Sequence, residues 1–459
     1  MCGLRPESVC KVIDTRPLEP LAPRTLLLKV YKMTYKQALE YLYGLQKYGV
    51  KFGLSKTSNI LKKMGYPHKG QKYIHIAGTN GKGSVSAMVE SVLIRAGYRV
   101  GFYSSPHLVS FTERFRINRK EITKKQVAEL TEEIKGVIDP TEPPTYFEFA
   151  TAMALACFAR EKVDFAIMEV GMGGRLDATN IIKPLVSAIT NISLEHQSFL
   201  GNTLKEIAGE KAGIIKKGIN IITAATQPVV KEVFRKISEE RGAPYFEVGR
   251  DVRFRSVGRK FNYYGLKRNI RDINLTLKGP FQHRNATLSL GILELLEKKG
   301  VRLDEDTIKK GIEETSWLGR VQALSERPLV VVDGAHNPGA AKVLAEAIKK
   351  DFTFKRLILV LGIMKDKDID TIVKEIAPLS DHIICSAPEY YRSAKPDELY
   401  SVVSAYSKKV EIIDGLPVAI AKAKGMAHPD DMILITGSLF TVGEALTVID
   451  PVRYRPDPV

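Results

Sequence analysis

From Lys72 onward the chain alternates between short apolar runs and stretches of helical period, and this constrains the fold more than any other feature. "KYIHIAG" reads as a buried strand. "SVSAMVESVLIRAG" reads as a helix with Val85, Met88, Val89, Val92 and Ala96 on one face and Gly97 as its stop. "RVGFYSS", "DFAIMEVG", "PLVSAITNI" and "NIITAATQ" repeat the strand pattern, separated by helical stretches such as "TYFEFATAMALACFARE" and "TLKEIAGEKAGIIKKG". Strands alternating with helices imply parallel pairing, so an α/β fold with a doubly wound, mostly parallel sheet is expected. Residues 245–278 switch to period two in "YFEVGRDVRFRSV", "KFNYYGL" and "INLTLKG", which predicts a small antiparallel appendage. A second α/β series begins near Arg327 with "PLVVVDGAHNPGAAKVLAEAIKK" and continues through "RLILVLGIM", "HIICSA", "VEIIDG" and "DMILITGSLF". The segment from Trp317 to Glu326 is the expected hinge, giving domains at 33–320 and 321–459.

Residues 1–32 fit neither series. They carry four prolines and no helical period, and the "TLLLKV" run is too short for a signal sequence. They are expected to be an irregular or disordered extension, or an over-extended start with Met33 as the true first residue. No apolar run approaches the roughly 20 residues of a membrane helix. Cys2, Cys10, Cys157 and Cys385 are scattered without metal spacing, which fits a reduced, cytoplasmic setting. The net charge of +17 favours anionic partners. No block of like charge or aromatic-basic stripe marks a nucleic-acid face, so phosphates or carboxylated small molecules are preferred. Neither nucleic acid nor membrane is expected as a partner, and the chain is expected to be a monomer.

The first strand and helix meet in "GTNGKGS", Gly78 to Ser84. Such a bend presents converging backbone N–H groups and a helix N-terminus to an anion, and glycine allows close approach. Lys82 would supply charge to outer phosphates and Ser84 a hydroxyl for Mg²⁺. The spacing is G-x-x-G-K-G-S rather than G-x-x-x-x-G-K-[ST], shorter in the loop and with Gly83 between lysine and serine. Glu169 ends a buried strand, where ligands of parallel sheets sit. A carboxylate there needs a metal or a partner such as Arg175.

"HIAGTNGKGSVSAMVESVL", "SSPHLVSFTERFRIN", "MEVGMGGRLDATN", "EHQSFLGNTLKEIAGEKAGII" and "VVDGAHNPGA", in this order, strongly resemble the folylpolyglutamate synthase/dihydrofolate synthase family of the Mur ligase superfamily. The resemblance runs from about Met33 to Val448. It implies a P-loop-type central domain, a smaller Rossmann-like C-terminal domain, and ATP bound by Gly78, Thr79, Asn80, Gly81, Lys82, Gly83 and Ser84. Asn285 would contact the adenine ring or nearby phosphates, Arg320 in "WLGR" the transferring phosphoryl group, Asp333 the ribose and His336 the γ-phosphate. Ser84, Glu169, His196 and a carbamoylated Lys211 would hold Mg²⁺. Ser105, His107, Phe147 and Glu148 would lie near the pterin-bearing substrate. Two positions depart from the family pattern: Glu195 stands where aspartate is more usual, and Phe281 replaces a histidine.

The implied reaction is ATP-dependent addition of L-glutamate to a folate-type carboxylate through an acyl phosphate, with Lys82, Arg320 and His336 catalytic. The acceptor would be a reduced folate, dihydropteroate or both. A cell-wall peptide ligase is the alternative within the superfamily, and a basic nucleic-acid-binding protein the alternative outside it.

Overall fold

The computed structural model describes residues 32–257 and 260–458. The expectation for the first 31 residues therefore lies outside the described part. The remainder holds a mostly parallel sheet of eight strands: β1 (Tyr73–Ala77), β2 (Val100–Tyr103), β3 (Phe115–Ile117), β4 (Lys120–Glu121), β5 (Phe165–Glu169), β6 (Pro184–Ile189), β7 (Asn220–Thr223) and β8 (Tyr245–Glu247). Their order is β4-β3-β2-β5-β1-β6-β7-β8, with only β3 antiparallel to its two neighbours, β2 and β4. Every residue of β1 and β5 is buried, as expected of central strands covered on both faces. Helix Lys82–Arg95 packs one face together with helices Phe281–Glu297 and Glu305–Glu313. The alanine-rich helix Tyr146–Arg160 covers the other face.

The appendage is shorter than the period-two pattern predicts. Three antiparallel strands form it: β9 (Arg253–Val257), β10 (Lys260–Tyr264) and β11 (Asn269–Asn274). Tyr245–Glu247 instead joins the main sheet, parallel to β7. Helix Pro228–Glu240 separates it from β7, and a strand-helix-strand crossover of that length delivers a parallel neighbour. Residues 275–279 lie outside the strands.

The second sheet has the order β12-β13-β17-β14-β15-β16, built from β12 (Gln322–Glu326), β13 (Leu329–Asp333), β14 (Leu357–Leu361), β15 (His382–Cys385), β16 (Val410–Ile412) and β17 (Met432–Thr436). All pairs are parallel except β12 with β13. The expected hinge thus ends earlier than foreseen: Gln322–Glu326 is an antiparallel edge strand, and the connector narrows to residues 315–321. Among the described residues no helix is long and apolar enough to cross a membrane.

A buried histidine ties β1 to the turn after β5. The Thr179 hydroxyl donates to Asp177 Oδ1 at 2.5 Å, so the His75 Nε2–H donates to Thr179 Oγ1 at 2.9 Å, leaving Nδ1 unprotonated and, among the described residues, without a partner. Burial holds His75 down at about 3, against 6.5 in an exposed ring. The unfolded chain therefore binds a proton here that the folded chain refuses. His75 costs no stability above pH 6.5, and stability falls as pH drops from 6.5 toward 3, by at most about 1.4 kcal/mol per pH unit. His75→Gln is expected to flatten that slope in urea titrations of the unfolding free energy; an unchanged slope would place the acid sensitivity elsewhere.

Candidate active site

The carboxyl ends of β1, β5 and β6 meet the β13 and β17 ends of the second sheet around a cavity of about 400 Å³. The floor of the cavity is the glycine bend. Gly78 has φ +141°, and a Cβ there would collide with the Thr190 side chain. Thr190 Oγ1 donates to the Asn80 carbonyl at 2.6 Å, while the Thr79 and Asn80 N–H groups donate to Asn191, each at 2.8 Å. Gly81 has φ +87° and caps helix Lys82–Arg95. The bend is thus held by β6 and the turn after it, with Thr79, Asn80, Gly81, Lys82 and Gly83 on the cavity wall. Lys82 Nζ curls back onto the Gly78 and Thr79 carbonyls at 3.2 and 3.0 Å.

Glu169, at the end of β5, lines the same cavity. Burial pushes its carboxyl up to about 7, against the opposing pull of Lys82, Arg320, the Ser105 backbone N–H and Arg114. Arg175 is not its partner; that guanidinium pairs with Glu210 at 2.9 Å. His196, with φ +52°, also faces the cavity, and burial outweighs Glu195 to hold it at about 4, a neutral ring able to act as a ligand. These two supply one carboxylate and one imidazole. Among the described residues no cluster of three or more His, Cys, Asp or Glu forms a complete metal cage. Such a pair fits a divalent cation whose other ligands are water and phosphate oxygens, as is usual for Mg²⁺.

Ser84 and Lys211 do not line the cavity. Ser84 is buried beneath the bend, where Gln282 Nε2 donates to its hydroxyl at 3.4 Å. Lys211 Nζ donates to the Gly78 carbonyl at 3.0 Å. Burial, reinforced by the charge of Lys82, brings Lys211 down to about 7, so much of it is a neutral amine near neutral pH. Asn285 is also beneath the bend: its amide donates to Gln282 Oε1 at 2.9 Å, and its Oδ1 lies 2.8 Å from where a Cβ of Gly81 would stand.

The second sheet brings up its own side chains. Glu195 reaches across from the turn after β6. Its Oε1 lies 3.0 Å from His336 Nε2 and accepts from Asn337 Nδ2 at 3.2 Å. Burial works to raise the Glu195 carboxyl, but the His336 hydrogen bond and charge outweigh it and hold it well below the usual range. His336 Nδ1 lies 2.7 Å from the Gly334 carbonyl. Asn80 and Asn337 exchange two amide hydrogen bonds, of 3.1 and 3.0 Å, so the bend and the second sheet touch directly. Arg320 lines the cavity wall between them. Asp333 does not: its carboxylate accepts from the Val321 and Ala335 N–H groups at 2.9 and 2.8 Å and is held inside the turn.

Of the residues expected near a pterin, Ser105, Phe147 and Glu148 line the cavity, although Glu148 Oε2 also accepts from the Thr145 N–H and hydroxyl as a helix cap. His107 is a correction. It lies behind the wall, its Nδ1 accepting from Arg114 Nε at 2.9 Å, and Arg114 is the side chain that reaches the cavity. Sequence reasoning missed Arg114, Glu195, Lys367 and Arg392 as cavity residues. Lys367 and Arg392 follow β14 and β15, and the carboxyl ends of parallel strands were the available signal.

Comparison with known proteins gives the family and the fold. Residues 76–293 match the Mur ligase middle domain and residues 319–439 the Mur ligase glutamate ligase domain. The chain is 36% identical over 423 residues to a dihydrofolate synthase/folylpolyglutamate synthase of Bacillus subtilis, covering 89% of this chain and 98% of that protein. Its fold is similar to that of Escherichia coli FolC in complex with DHPP and ADP (TM-score 0.85, 32% identity, 92% of this chain and 99% of that one). It is also similar to a bifunctional enzyme of the same name with Mn, AMPPNP and L-glutamate bound (TM-score 0.80, 29% identity, 90% and 98%).

Proposed function

The chain belongs to the folylpolyglutamate synthase/dihydrofolate synthase family of Mur ligases, and on that premise we propose that its cavity joins L-glutamate to a folate-type carboxylate at the expense of ATP. The observation that carries this is the junction itself: a glycine-rich bend with Lys82 on one sheet faces Arg320 and a carboxylate-tethered His336 on the other. The relatives favour this over cell-wall peptide ligation and over nucleic-acid binding.

The N–H groups of the first turn of helix Lys82–Arg95 and the Lys82 ammonium take the outer phosphates. The acceptor carboxylate attacks the γ-phosphorus, the bond to ADP breaks, and an acyl phosphate forms. The amine of L-glutamate then bonds to the acyl carbon as inorganic phosphate leaves. Two anions must meet in the first step, so charge neutralisation is the main demand on the protein, and Lys82, Arg320, Arg114 and His336 supply it. Glu195 orients His336 toward this space. Residues 80 and 337 join the sheets, so a nucleotide bridging them favours the closed cavity and excludes water. A divalent cation held by Glu169 and His196 would add Lewis-acid charge at the phosphates. Asn285 and Asp333 act through the bend and the turn they brace. Lys211, as a neutral amine, is suited to carbamoylation by CO₂, which would replace a buried cation with a carboxylate-like group.

The test is purified protein with ATP, Mg²⁺ and labelled glutamate, offered dihydropteroate and tetrahydrofolate separately, with and without ¹³C-bicarbonate. Glutamate incorporation with one ADP formed per amide is expected, together with a ¹³C carbamate resonance that Lys211→Arg removes. No incorporation with either acceptor would refute the ligase reading, and no resonance would refute carbamoylation.

A further inference from the structure

Gly83 is the anomaly of the bend, inserted between Lys82 and Ser84. It sits in the first turn of a helix with ordinary helical backbone, so conformation does not require glycine there. Space does. A Cβ on Gly83 would lie 2.7 Å from Cε2, Cζ2 and Nε1 of Trp317, closer than real Cβ contacts come. The missing side chain makes a notch in the phosphate-loop helix, and the indole fills it.

The indole is held on its other sides as well. It stacks on Phe102 of β2, with ring centroids 5.3 Å apart and planes 29° apart. The Arg116 guanidinium of β3 lies 4.8 Å from the Trp317 ring and 4.7 Å from that of Phe102. Arg116 is ion-paired to Glu90, which lies two turns beyond Gly83 on the same helix. Three residues after Trp317 comes Arg320 on the cavity wall, and the next residue, Val321, is fixed by its N–H to Asp333. The connector is therefore pinned at both ends, by the indole in its notch and by the β13 carboxylate, with Arg320 between the pins.

We infer that Trp317 is a positioning residue for the ligase reaction: seated in the Gly83 notch, it sets Arg320 in register with the phosphate loop. This rests on the ligase reading. Trp317 does not line the cavity itself, but shares a smaller adjoining pocket with Glu169 and Arg320. Its loss leaves the phosphate contacts of Lys82 in place while letting Arg320 drift, and misplacement by an ångström costs up to about 10²-fold in rate.

The experiment is a double-mutant cycle on the full chain, read as kcat and KM for ATP. Trp317→Ala is expected to lower kcat by about 10²-fold with KM for ATP within about threefold of wild type. Gly83→Ala is expected to lose activity by displacing the indole. In the double variant Gly83→Ala/Trp317→Ala the two losses are expected not to add, because the notch has no other occupant. Trp317→Phe, with a smaller ring, keeps the stack on Phe102 and partly rescues Gly83→Ala, and this pair runs the same cycle should Trp317→Ala fail to fold. Trp317 is the chain's only tryptophan, so its emission is expected to shift when Mg·ATP binds. Additive losses, or a Trp317→Ala kcat within about twofold of wild type, overturn the inference and leave the ligase reading intact. An inactive wild-type chain in the same assay sinks both.

Discussion

Lys82→Ala is expected to lower kcat for ATP-dependent glutamate addition by about 10³-fold while the protein folds normally. The two halves of that result have separate causes. Among the described residues Lys82 Nζ hydrogen-bonds to the neutral carbonyls of Gly78 and Thr79 in its own loop. The shape of that loop is set elsewhere, by the positive φ of Gly78 and by hydrogen bonds from Thr190 and to Asn191. Removing the ammonium therefore removes no structural support, and it relieves repulsion against Lys211, whose pKa Lys82 helps to depress. The loss falls on the transition state, where phosphoryl transfer to a carboxylate concentrates negative charge beside the bend. Arginine would not substitute well, because a planar fork does not reproduce a compact ammonium at this close approach. Steady-state kinetics with either acceptor and far-ultraviolet circular dichroism check both halves. Turnover near wild type would remove Lys82 from the mechanism.

The parallel architecture was legible in the chain because parallel strands are buried on both faces and stand out as unbroken apolar runs, as "YIHIA" and "FAIME" do. Its misreadings came where local pattern and topology disagree. Tyr245–Glu247 carries the alternation of a half-exposed strand, yet the helix before it fixes it as a parallel edge. Gln322–Glu326 looked like a connector because an edge strand with one covered side has a weak apolar signal. In the site, the motifs named candidate residues along the chain, but position in a motif carries no information about depth. Ser84 stands in the same motif as residues on the cavity wall, and only three-dimensional packing shows that Ser84, Lys211 and Asn285 are off it. The reverse holds for Arg114. It lies seven residues from His107 in one quoted stretch, and the hydrogen bond between them decides which faces the cavity.

Glu195 shows why contacts between the two sheets were the hardest to foresee. As a residue beside His196 it looked like a conservative replacement for aspartate. In the fold it is the carboxylate that reaches His336 and Asn337 on the other sheet, 141 and 142 positions along the chain. The extra methylene of glutamate lengthens that reach, a demand invisible to any one-dimensional reading.

Glu169→Gln is expected to lower kcat by about 10²- to 10³-fold and, in metal-free buffer at pH 8, to raise thermal stability. The opposite signs follow from one fact: the carboxyl is buried at the end of β5 and, among the described residues, has no salt-bridge partner. Burial raises its pKa from 4.5 to about 7, so the folded protein holds a proton there that the unfolded chain has lost, and above that window the ionised head destabilises the fold. The sign is therefore a penalty that grows as pH rises from 4.5 and is complete above 7, worth on the order of a few kcal/mol. Glutamine keeps the shape and can still accept from the Ser105 N–H, but it carries no charge to bury. It also cannot bring a full negative charge to a divalent cation, so metal activation is expected to need a much higher Mg²⁺ concentration. Lys82 and Arg320 would then face the triphosphate without their counter-charge. Melting curves with chelator, set beside Mg²⁺ titrations of turnover, separate the two effects. A variant that is both less stable without metal and unchanged in its Mg²⁺ dependence would mean that Glu169 is a structural carboxylate, and the cation would have to be held by His196 without it.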